Sequence, residues 1–184
     1  NVHKEGFMEN ADFINNLKFR GSYGVTGNAA IALNRYQALL NFDSDYDSEG
    51  ASYPGTFGNE DLSWETSYTL DLGMDFGFLQ NRINGSFAYY RRESKDLLLN
   101  VPLSLLTGFT SQTRNIGRME NKGFELALNG TVVQKDDFSF DLGVNFGTLT
   151  KTVDAIYPGV ESYDISTYTS NMKLQARVGE EYGL

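Results

Sequence analysis

The 184 residues carry 24 acidic side chains against 15 basic ones, three prolines, 19 glycines, no cysteine and a single histidine, His3. The acidic balance argues against a nucleic-acid partner, because phosphate binding needs a basic face, and the lack of cysteine excludes a disulfide framework or a thiolate metal centre. Apolar runs as short as Leu97-Leu98-Leu99 exclude a membrane helix but not a membrane strand, which needs only alternate apolar residues.

The predicted elements are strands from end to end. In "LKFRGSYGVTG", Leu17, Phe19, Tyr23 and Val25 alternate with Lys18, Arg20, Ser22 and Thr26. In "LSWETSYTLDLGMDFGF" (62–78), every even position except Thr66 is apolar or aromatic, while the odd ones include Glu65, Asp71 and Asp75. "INGSFAYY", "GFELALNGTVV" and "FSFDLGVNFGT" repeat the pattern, and "MKLQARVG" repeats it more weakly with Met172, Leu174, Ala176 and Val178. A period of two places such sets on opposite faces of a sheet. No longer stretch follows the helical period.

The connections alternate in length. "LQNR" (79–82) and "QKDD" (134–137) are short polar turns; 27–61, roughly 97–117 and roughly 154–170 are long loops holding Pro54, Pro102 and Pro158. The prolines are thus expected outside the strands, where a missing N–H would break the ladder. Short turns at one end and long loops at the other suit an up-and-down barrel in an outer membrane. Length supports this. Seventeen residues at ~3.3 Å each reach roughly 56 Å, whereas strands of globular proteins run about 3–10 residues. A soluble sandwich with one buried face is the competing architecture. The expected fold is therefore all-β: an antiparallel up-and-down transmembrane β-barrel, present as a partial wall of about six strands over 1–184. The start at Asn1, without a methionine or leader, leads us to expect an excerpt of a longer chain.

"SYGVTGN", "GNEDLSWE" and "GRMENKGFE", with the stretches 17–28, 53–99 and 107–130 around them, resemble the C-terminal half of the SusC/RagA family of TonB-dependent outer-membrane transporters of the Bacteroidetes. The resemblance covers most of the chain in the family's order. It implies a 22-stranded barrel closed by an N-terminal plug, a SusD-like lipoprotein over the extracellular mouth, import of glycans or peptides, and energy coupling through TonB, which pulls on the plug. On this reading the chain lies in outer-membrane lipid as wall and extracellular loop, carries neither plug nor TonB-contact segment, is no enzyme and needs no cofactor. A β-rich surface adhesin or binding module, and a passive porin, are the alternatives.

Several residues invite a site. Asp43, Asp45, Asp47 and Glu49, at every second position of "DSDYDSEG", have a spacing able to wrap calcium, although the EF-hand pattern fails at Pro54; the plain alternative is a solvated acidic loop. Tyr36, Phe42, Tyr46, Tyr53 and Phe57 can stack on sugar rings, pack the loop or meet a lipoprotein lid. Trp64, Phe78 and Phe138 fit the aromatic girdles at the membrane interfaces. Glu120, Lys122 and Glu125 of "GRMENKGFE" would need to converge on one pocket to hydrolyse anything. The resemblance gives that motif a wall-building role, at a bend or bulge where a loop enters its strand.

Overall fold

The computed structural model describes residues 13–29, 34–47, 49–167 and 173–182. His3 and Met172 therefore lie outside the described residues. Ten strands follow in chain order: β1 (Ile14–Asn28), β2 (Leu40–Tyr46), β3 (Glu49–Pro54), β4 (Glu65–Phe78), β5 (Ile83–Pro102), β6 (Ser111–Lys135), β7 (Phe138–Gly147), β8 (Thr150–Ala155), β9 (Ser162–Thr167) and β10 (Lys173–Arg177). Six form one open sheet in the order β1-β4-β5-β6-β7, with β8 also paired to β6; β2–β3 and β9–β10 are separate hairpins.

Alternation accounts for the main sheet, and its departures have local causes. β4 begins at Glu65 and has 14 residues rather than 17. Asn115 diverts the preceding backbone: its Oδ1 accepts from Ser63 N–H (2.9 Å) and its Nδ2 donates to Ser63 O (2.8 Å). The groups a ladder partner would have used are thus bound by a side chain. The remaining strand still reaches roughly 46 Å at ~3.3 Å per residue, beyond the about 9–11 residues a tilted span requires.

The expected loop over 97–117 is mostly strand. β5 runs to Pro102 and β6 starts at Ser111, leaving 103–110, which closes through a 3-10 turn at Leu105–Thr107 and Gly108 at φ 80°. A slip in alternation hid this. Odd residues of β5 first meet even residues of β6, as in Phe87 with Phe124 and Arg91 with Glu120. Further along, odd Leu97 meets odd Gly117. Asp96, at φ 56°, lies in between and is the one residue of β5 with a positive φ. Pro54 and Pro102 end β3 and β5 rather than standing clear of strands; a terminal residue tolerates the lost N–H. "GRMENKGFE" lies within the unbroken β6, with no loop entering there. The 27–61 segment contains the β2–β3 hairpin, and 154–170 contains the end of β8 and all of β9.

The short turns behave as expected. Leu79, Gln80 and Asn81 all take positive φ, and Asp136-Asp137 links the paired Lys135 and Phe138. Thr131 N–H donates to Arg82 O (2.8 Å), which holds both turns at one end of the sheet.

The chain divides into two compact units: residues 1–25, 68–93 and 120–151, and residues 26–67, 94–119 and 152–184. Both short turns belong to the first unit; the long connections expected from sequence belong almost wholly to the second. Among the described residues the buried apolar side chains, Val101, Val153, Ile156 and Ala176, all lie in the second. In the first, Phe19, Tyr23, Leu72 and the β7 set Phe138, Phe140, Leu142, Val144 and Phe146 stand half to two-thirds exposed. No second layer covers them among the described residues, which is incompatible with a closed sandwich core.

Candidate functional site

The polar face of the first unit is a continuous wet surface. Arg20 and Ser22 of β1, Asp71 and Asp75 of β4, Tyr90 of β5 and Glu125 of β6 all belong to it, most of them lining a concavity of about 540 Å³. Gly73, between the two aspartates, leaves room for Arg20, whose guanidinium would lie 3.1 Å from an added Cβ. Arg20 thereby reaches Asp75 at 2.9 Å, while the Ser22 hydroxyl donates to Asp71 at 3.4 Å. Thr131 and Ser139 donate to Asp141 at 2.6 and 3.1 Å. These carboxylates are engaged by neighbouring donors in water, an arrangement worth little stability and offering no nucleophile–base pair.

The other face of this unit is greasy. Phe87, Phe124 and Phe146 form a cross-strand row with ring centres 6.2 and 5.7 Å apart, and Phe78 of β4 has ring contacts with Phe13 at 6.3 Å and with Phe76 of its own strand at 5.4 Å. Arg91, Glu120 and Lys122 share the side of Phe87 and Phe124. Glu120 accepts from Arg91 Nε at 2.6 Å and from Lys122 Nζ at 2.8 Å. Glu125 lines the polar concavity instead. The two glutamates of "GRMENKGFE" therefore point to opposite faces and do not converge.

In the second unit the loop aromatics form no ring pair with one another among the described residues. Tyr36 is about half exposed, Phe42 of β2 is 77% exposed, and Tyr53 of β3 pairs with Asn41 across the hairpin. Tyr46 ends β2, and its side chain lies outside the described residues. Phe57 alone of the set has a ring partner among the described residues, Phe109 at 5.1 Å. Asp43 and Asp45 lie along β2, Asp47 turns at φ 50°, and Glu49 opens β3. Among the described residues no three or more such side chains gather closely enough to hold a metal ion. Trp64, two-thirds exposed, lies against Gly27, where an added Cβ would meet its ring at 2.7 Å. The sequence reading missed Phe109, Arg35, Asn100 and Gln112, which line a small polar hollow with Phe57. The aromatic in "TGFTSQT" was the one available signal.

An antiparallel sheet with an uncovered, largely apolar face, a solvent-exposed polar face, tight turns at one end and strands longer than a bilayer needs defines a class, the wall of a transmembrane β-barrel. A family model described as "TonB dependent receptor-like, beta-barrel" matches residues 10–183. TonB-dependent receptor P3 of Formosa agariphila is 39% identical over 151 residues, covering 79% of this chain and 15% of that protein. TonB-dependent receptor SusC of Bacteroides thetaiotaomicron is 33% identical over 192 residues, covering 95% of this chain and 19% of that protein. The chain belongs to the TonB-dependent receptor β-barrel family, a family of outer-membrane proteins. Two solved structures, of the RagAB peptide transporter and of the RagAB peptide importer in its open-open state, superpose with TM-scores of 0.79 and 0.81. Both are 28% identical to it, and the match covers 97% of this chain and 19% of theirs. The chain thus spans less than a fifth of the length of these relatives.

Proposed function

We propose that this chain is part of the barrel wall and outer loops of an active outer-membrane importer of glycans or peptides. It is a multi-pass barrel segment, coupled to TonB through a plug elsewhere in the protein and served by a SusD-like lipoprotein. It contributes positioning and passage, not bond chemistry. The observation that carries this reading is the two-faced sheet, one side uncovered and apolar except for the Arg91–Glu120–Lys122 cluster and the other lined with engaged polar side chains. The relationship to SusC and the likeness to RagAB support an importer over an adhesin. The experiment is uptake of labelled oligosaccharide and peptide pools by cells bearing the full-length protein, with and without TonB. TonB-dependent accumulation is expected. Accumulation indifferent to TonB favours a passive porin, and a full-length protein whose mobility on a denaturing gel is not heat-modifiable favours an adhesin.

A further inference from the structure

The hollow beside Phe57 has an unusual chemical balance for so acidic a chain. Its volume is about 120 Å³, and none of its ten lining residues is aspartate or glutamate, against 24 acidic and 15 basic residues in the whole chain. Arg35 stands at it and forms no ion pair among the described residues. The amide acceptors around it are engaged inside the protein. Asn100 Oδ1 accepts from Thr113 Oγ1 at 2.8 Å, and Gln112 Oε1 accepts from Arg114 Nε at 2.7 Å. Gln112 Nε2 donates to Gly58 O at 2.7 Å, which fixes the buried amide. Among the described residues the Arg35 guanidinium and the Asn100 Nδ2 group have no hydrogen-bond partner, and the hydroxyls of Thr110 and Ser111, which can donate or accept, line the same hollow.

We infer that this hollow is an anion-selecting subsite for an acidic oligosaccharide, receiving the carboxylate of a uronate or an ester sulfate. The inference rests on the importer reading and narrows its substrate. Guanidinium forks recognise carboxylates and sulfates bidentately, and charge-assisted bonds of this kind are the strong ones. An arginine with no ion-pair partner among the described residues, beside an amide N–H donor and hydroxyls and with no carboxylate in the lining, has the polarity such a group needs. The Phe57–Phe109 pair, tilted at 58°, forms an apolar surface next to these donors. A charged pyranose carries an apolar C–H face within one ring of its anionic substituent, and the juxtaposition of Phe57, Phe109 and Arg35 fits both. A peptide side chain offers the anion without that adjoining flat face.

The test is binding by the purified full-length protein in detergent, by titration calorimetry, which needs no TonB and no uptake. Probes are oligogalacturonate, oligoalginate and a sulfated galactan oligomer, each beside a neutral oligosaccharide of matched length, and a glutamate-rich peptide. At least one acidic glycan is expected to bind at least tenfold tighter than its neutral counterpart. Arg35→Ala should remove most of that difference, Arg35→Lys should restore part of it, and Asn100→Ala should weaken it several-fold. Loss of salt sensitivity in the Arg35→Ala variant marks loss of the ionic contact rather than of the loop. Equal binding of acidic and neutral glycans, an acidic preference untouched by Arg35→Ala, or a preference shown only toward the peptide overturns the inference. TonB-independent uptake with the acidic preference intact would defeat the importer reading alone.

Discussion

Tyr90 lies over Gly123. Its hydroxyl donates to Thr148 O at 3.2 Å across the space a side chain would fill, and a Cβ at Gly123 would meet that oxygen at 2.0 Å and the Tyr90 hydroxyl at 2.6 Å. The glycine of "ENKGFE" is thus a packing requirement. Gly123→Ala should cost about 1–3 kcal/mol, because a backbone carbonyl must shift. Gly24→Ala, where nothing lies within 4 Å, should be neutral or slightly stabilising. Tyr90→Phe should not rescue Gly123→Ala, since the Thr148 carbonyl remains. Reversible urea unfolding of the full-length barrel in vesicles measures all three. Equal effects at 24 and 123 would show that the approach is not close in the folded protein.

Leu72 and Asp71 are neighbours on opposite faces of β4. The apolar band of such barrels is about 25 Å tall. With ~3.3 Å of rise at about 45°, it covers about ten residues. Measured from the turn at Leu79 it is centred near Leu72. Leu72→Arg should cost about 2–4 kcal/mol, as a cation placed at the bilayer midplane does. Asp71→Asn should cost little, because the site is exposed and its contact with Ser22 is long, at 3.4 Å. Tyr68→Arg should be milder than Leu72→Arg. The same unfolding measurement decides. A Leu72→Arg variant as benign as Asp71→Asn means the faces are inverted.

Glu65, the acid of "LSWE", joins three strands through one carboxylate. It accepts from Asn28 Nδ2 at 2.9 Å and from Leu98 N–H at 3.0 Å. Glu65→Gln keeps the shape but turns one of the two acceptors into a donor. We expect a local loss of about 1 kcal/mol, seen as roughly fivefold faster hydrogen exchange of the Leu98 amide with no change in global unfolding. Unaltered exchange at Leu98 would remove Glu65 from this role.

The β2–β3 hairpin is an independent two-stranded sheet whose base pairs Leu40 with Pro54. Deleting 41–52 from the full-length protein should therefore leave the barrel folded and heat-modifiable. If the hairpin meets the lipoprotein, co-purification of that partner should fall. Undiminished co-purification and uptake would take Phe42, Tyr46 and the acidic run off the functional list.

How much was legible follows from where alternation is uninterrupted. β7 was read from "FSFDLGVNFGT" to within one residue, because ten residues keep strict phase and end at a tight turn. The lower end of β4 was equally clear. Its upper end was not, since Asn115, 52 residues away, takes the backbone of Ser63. The extensions of β5 and β6 were hidden because Arg91 to Lys95 interrupts the apolar series and Asp96 then shifts its phase. The split of Glu120 from Glu125 follows from parity alone. Arg35 gave no local signal, because its meaning comes from Asn100, Phe109 and Gln112, which only the fold brings near.

The left-handed backbone at Asp96 makes sidedness behave like a reading frame of period two. Beyond it Leu97 faces Gly117, and Leu99 packs on the small cluster of Val153, Ile156 and Ala176. Their destination is set by position in the count rather than by composition. Substitution at 96 can weaken this arrangement, but only an inserted or deleted residue can reverse it. Deleting one residue there would send two leucines to the other face with every side chain after them. Length changes near this point, invisible to any hydropathy profile, are therefore the events that would most readily rebuild the upper strand into a different surface.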